Sequence, residues 1–129
     1  MSNIKNINLQ VAKFALECVN KVKDDNRREY KTLVRKMPTL IQKNGYINTL
    51  VFNLSKQKNK NHQEVLYNII NWSNKNEKIK YLLGEQSQID QYIEKVVKLK
   101  QSQYRLVTKE MINLFVWIKR FADGMIEDE

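Results

Sequence analysis

One histidine, one cysteine and 14 carboxylates are what this 129-residue chain could bring to catalysis. His62 lies in the polar stretch KQKNKNHQ, with no nucleophile or fixed carboxylate near it in sequence. Metal sites draw on several His, Cys or carboxylate ligands at set spacings, and a single His and a single Cys do not supply them. Cys18 has no second cysteine to pair with, so neither an intramolecular disulfide nor a thiolate cluster can form. Asp90 and Glu94 stand one helical turn apart. Lys95 and Lys98 interleave with them, and the group reads as a charge-compensated solvated face. No P-loop, glycine-rich dinucleotide motif or nucleophile elbow occurs. The residues point away from enzymatic activity and call for no cofactor.

Positive charge is the property that stands out. Lys and Arg number 23 against 14 Asp and Glu, for a net charge of +9 and a pI near 9.6. A surplus of this size suits a phosphate backbone or another polyanion. The chain is also rich in Asn and Ile, and the codon bias behind such a composition inflates Lys too. The charge therefore carries meaning only where it is localised on one face.

The stretch that localises it runs from Tyr30 to Leu54, YKTLVRKMPTLIQKNGYINTLVFNL. Tyr30, Leu33, Val34, Met37, Leu40 and Ile41 recur at helical steps and form one apolar stripe. Projected at about 100° per residue, Arg28, Lys31 and Arg35 fall opposite it, with Lys36 and Lys43 on the flanks. The stripe keeps its phase across Pro38, which predicts one helix from about Arg27 to Lys43, kinked at the proline. Asn44-Gly45 ends it, and Ile47, Leu50, Val51 and Leu54 begin a short helix from about Tyr46 to Ser55.

The remaining elements follow from the same periodicity. A first helix from about Asn3 to Lys23 carries Ile4, Ile7, Val11, Phe14 and Cys18 on its stripe, widened by Leu9, Ala12, Leu16 and Val19. Cys18 thus reads as a small core residue. Asp24, Asp25 and Asn26 offer caps to the second helix. Residues 56–63 read as a loop. A fourth helix follows from about Gln63 to Ser73, then a turn around Ile79 to Leu83, and a fifth helix from about Gln88 to Gln101 with Ile89, Tyr92, Ile93, Val96 and Val97 inward. Thr108 is the expected N-cap of a last helix ending near Gly124, with a frayed acidic tail over 123–129. From Met111 to Ile118 only Asn113 is polar. Such a helix is either the central rod of a bundle or presents Ile112 and Val116 to another subunit. The expected fold is all-α: a compact bundle of five to six helices in a single domain, 1–129. No run approaches the ~18 apolar residues of a membrane span, and nothing resembles a signal peptide, so the expected location is the cytoplasm.

Base reading is disfavoured. If Asn44-Gly45 were the turn of a helix-turn-helix, the following helix would carry the base contacts, and it holds no Arg or Lys. Aromatic residues fall mostly on core stripes rather than in a row for stacking. The cationic face of the preceding helix fits sequence-independent phosphate contact.

The run YKTLVRKMPTLIQKNG followed by TLVF resembles the signature region of the Cmr small subunit of type III-B CRISPR RNA-targeting effector complexes. YRLVTKEMINLFVWIKRFADG, from Tyr104 to Gly124, is similar to that family's closing helix. The two blocks cover about half of the chain. Tyr46, Ile47 and Val51 depart from the family's pattern after the glycine. The resemblance implies a non-catalytic subunit, stacked head to tail with copies of itself beside the backbone and large subunits, lining the groove where target RNA pairs with guide RNA. It makes Lys31, Arg35, Lys36 and Lys43, then Lys119 and Arg120, the candidate RNA contacts, and Ile112 and Val116 candidates for the subunit interface. The alternatives are the small subunit of the related type III-A complexes and a free-standing helical nucleic-acid-binding protein. A small nuclease built on His62 is the enzymatic rival.

Overall fold

A computed structural model describes residues 2–127, with side chains from residue 9 onward. It contains seven α-helices: α1 Ser2–Lys21, α2 Arg27–Asn44, α3 Tyr46–Ser55, α4 Lys60–Lys75, α5 Glu77–Leu83, α6 Ile89–Val97 and α7 Gln101–Met125. There is no strand among the described residues. α7 is the axis. Its largest contacts are with α2 and α1, and α2 in turn packs on α3 and α4, against which α5 and α6 close the second half. Met111, Leu114, Phe115, Ile118 and Ala122 of α7 are fully buried. The apolar surplus of the last helix is therefore used to make it a central rod.

The core takes Val11, Phe14, Ala15, Cys18 and Val19 from α1 and Tyr30, Leu33, Val34, Met37 and Ile41 from α2. Leu9 instead faces solvent, and the side chains of Ile4 and Ile7 lie outside the described residues. Burial pushes the Cys18 thiol up to about 12, so it stays protonated and inert at neutral pH. α2 continues through Pro38 without interruption. It ends because Gly45 takes φ +89°, a conformation that side-chain-bearing residues rarely adopt.

The residues after Gly45 pack in their own way. Tyr46 is buried and its hydroxyl meets that of Tyr92 on α6 at 2.6 Å. The Ile47 N–H donates to the Tyr104 hydroxyl at 3.0 Å, while Val51 remains exposed.

Several boundaries differ from the sequence reading, each for a local reason. Asp24–Asn26 form a 3-10 turn and make no side-chain cap. The end of α1 is held by Arg27, whose guanidinium donates to the Val19 carbonyl at 3.3 Å. α4 begins at Lys60 because the Asn59 side chain accepts the Asn61 N–H, which puts His62 on a helix rather than in a loop. Residues 77–83 make two turns, capped by Asn76 on Lys78 and Ile79. α6 stops at Val97, which is exposed. α7 starts at Gln101, where the Gln103 side chain accepts the Lys100 N–H, so Thr108 is an interior residue. At the other end α7 runs to Met125 and Ile126 is buried in the core, while residues 128 and 129 of the expected frayed tail lie outside the described residues.

Candidate nucleic-acid interface

Of the cations placed on the outer face of α2, one is not outside. Lys31 is 5% exposed, and its ammonium donates to the Ile126 carbonyl at 2.7 Å. The projection treated α2 as buried on one side only. α7 covers one flank while α3 and α4 cover another, and the wider buried arc takes in Lys31. Four residues on, Arg35 is exposed and pairs with Asp123 of α7, Nε to Oδ1 3.1 Å. Lys36 and Lys43 are both exposed, two turns apart on α2. Lys43 lies in the last turn, where the helix dipole favours a cation.

The two α7 candidates come to the same side as Arg35. Lys119 and Arg120 stand one turn before Asp123, so the Arg35–Asp123 pair joins α2 to that segment. The Arg120 guanidinium lies over the Trp117 ring at 5.0 Å, a stacked arrangement that holds the side chain against the surface. The Arg35–Asp123 pair thus ties α2 to the segment of α7 that carries Lys119 and Arg120, and Lys36 and Lys43 lie elsewhere on α2. Ile112 is half-buried against the core, and Val116 is half-buried as well.

Two groups not among the expected RNA contacts also stand here. Lys56, at the C-cap of α3, holds its ammonium 5.7 Å from the Phe52 ring. His62 sits edge-on to the same ring at 5.4 Å, with Nδ1 2.9 Å from the Asn53 side-chain oxygen. The Asn53 amide nitrogen donates to Thr49, so its oxygen is the acceptor and the imidazole carries its proton on Nδ1. Partial burial, then the charges of Lys56 and Lys36, push the His62 pKa below its ordinary value. This imidazole is therefore neutral at pH 7, structurally bound and in cationic company. The signal was the four-residue step from Phe52 to Lys56, hidden because residues 56–63 read as a loop.

Among the described residues no three His, Cys, Asp or Glu side chains gather as a metal site. Nor, in the same span, is any helix long and apolar enough to cross a membrane. The arrangement defines a class: a small all-helical protein with a cationic surface built from two of its longest helices. Residues 7–125 match the family model described as CRISPR-associated protein (Cas_Cmr5), and the chain belongs to that family, the small subunit of type III-B Cmr CRISPR complexes. It is accordingly a non-catalytic structural subunit. Membership implies the other Cmr subunits and the guide RNA as its assembly partners. A comparison with individually curated proteins gave no match.

Proposed function

We propose that this subunit, as one cytoplasmic domain, lines the RNA channel of a type III-B effector and braces the guide–target pair through phosphate contacts. The observation that carries this reading is the family match across residues 7–125. The exposed cations of α2 and α7 supply the chemistry: Lys36, Lys43, Lys119 and Arg120, with Arg35 sharing its charge with Asp123. Lys31 is left out of the set, because its ammonium is engaged inside the fold. Helix α3 lacks Arg and Lys and buries Tyr46, Thr49, Leu50 and Asn53, which supports phosphate contact over duplex groove reading by a recognition helix.

Copies stack head to tail, a heterologous arrangement that need not close into a ring. Ile112 and Val116, each with part of its surface open, contribute to one of the two stacking faces.

The test is target-RNA binding by the reconstituted complex carrying Lys36→Glu and Lys43→Glu in the small subunit. Affinity is expected to fall alike for every target sequence. The dependence of log affinity on log salt should flatten by roughly one unit per lost phosphate contact. Unchanged affinity with an unchanged salt slope removes α2 from the channel.

A further inference from the structure

Helices α2 and α3 form a hairpin at Gly45, and their outward stripes repeat one another. On α2, Lys36, Leu40 and Asn44 follow at four-residue steps. On α3 and its cap, Asn48, Phe52 and Lys56 do the same in reverse chemical order. Folded at the glycine, this spacing sets the two amides at the closed end, Leu40 and Phe52 in the middle and the two lysines toward the open end. Leu40, Asn44, Asn48, Thr49 and Phe52 line a groove of about 320 Å³. The Asn48 amide donates to the Asn44 carbonyl at 2.7 Å across the closed end. At the open end Lys56 leans on the Phe52 ring and His62 flanks it. After partial burial and the charge of Lys56, the charge of Lys36 adds to the lowering of the His62 pKa.

We propose that this hairpin groove takes one unpaired nucleotide of RNA, its base between Leu40 and Phe52 and its phosphate between Lys36 and Lys56. The proposal rests on the reading above that this subunit contacts RNA, and adds a base site to it.

Three properties select such an occupant. Phe52 is 37% exposed, an aromatic surface on which any base can stack. With its nitrogen engaged, the Asn48 side chain offers its oxygen as an acceptor, while Asn44 offers both a donor and an acceptor. Together they can meet an N–H beside a C=O, as on the Watson–Crick edge of uracil or guanine. In a duplex that edge is occupied and the face is stacked, so only an unpaired base fits. The two lysines match the charge of the phosphate attached to it.

The full-length, isotopically labelled protein titrated with penta-uridylate, and followed by amide NMR, tests this directly. Uracil stacks weakly on its neighbours, so the oligomer presents free bases. The expected result is shifts at Leu40, Asn44, Asn48 and Phe52, which an abasic pentamer of equal charge leaves unmoved while shifting the surroundings of Lys36 and Lys56. A blunt RNA duplex should also leave Leu40 to Phe52 unmoved. Phe52→Leu keeps the apolar contact and removes the aromatic face. It should weaken penta-uridylate about tenfold without changing the abasic oligomer's affinity or the melting temperature by more than a few degrees. Identical shifts from the two oligomers, no shift at the hairpin at millimolar oligomer, or a Phe52→Leu protein binding like the parent each overturn the base site. The phosphate reading is judged separately, by the Lys36→Glu and Lys43→Glu complex.

Discussion

Lys31 and Arg35 stand four residues apart on α2, and the fold gives them opposite duties. The Lys31 ammonium is buried on the Ile126 carbonyl. Removing it strands a buried acceptor and a charge-assisted bond, at a cost of about 1.5–3 kcal/mol. Arg35 makes an exposed ion pair, worth about 0–1 kcal/mol. Urea denaturation should therefore separate Lys31→Met, clearly destabilised, from Arg35→Met, close to the parent. Equal midpoints for the two would contradict the buried bond. His62 gives a second prediction. Its pKa is depressed by partial burial and then by Lys56 and Lys36, so across that window the unfolded chain binds more protons than the folded one. Stability then rises with pH through the window. The contribution is complete above the unfolded value of about 6.5 and is lost as pH falls through the depressed folded value. As the only histidine in the chain, His62 gives one imidazole titration by NMR. A midpoint at or above 6.5 would contradict the packing around Phe52.

At the scale of elements, the two ends of the chain's longest apolar stripes are set by different devices. Gly45 ends α2 with φ +89°, where a Cβ adds strain of about 1–3 kcal/mol. Gly124 lies inside α7, and a Cβ there meets nothing within 4 Å. Gly45→Ala should lower the melting temperature and Gly124→Ala should raise it slightly, the latter by reducing the freedom of the unfolded chain. Matching shifts of the same sign would refute the distinction. Helix α2 and its stop were legible in the sequence, because a strong apolar stripe met an Asn-Gly pair. The start of α7 was not. Its first ten residues touch the core on a narrow line through Tyr104 and Val107, too sparse for a periodicity to stand out. Likewise the helical reach of α4 back to His62 depends on the Asn59 cap, a single hydrogen bond that composition does not announce. The candidate site inherits this pattern. Lys36, Lys43, Lys119 and Arg120 are exposed, as cations off an apolar stripe are expected to be. Lys31 was misplaced because projection cannot see how many neighbours a helix has.

For the whole molecule, the +9 charge rides on a fold whose last helix is its centre. α1 and α2 both make their largest contacts with α7, and Lys31 reaches across 95 residues to Ile126. Such long-range closure is a late step in folding and leaves apolar surface open until it is made. On the ribosome the consequence is sharp. The stripes of α1 and α2 emerge first and have no axis to pack on until the final quarter of the chain is made. Nascent chains halted before residue 101 are expected to be protease-sensitive and chaperone-bound, and chains released after residue 127 to be resistant. Resistance in the shorter chains would mean that the first six helices hold together alone. If they do not, the lysine that closes on Ile126 acts as a proofreader of synthesis: a chain cut short of its last turn cannot latch, and it presents quality control with an open core instead of a finished subunit.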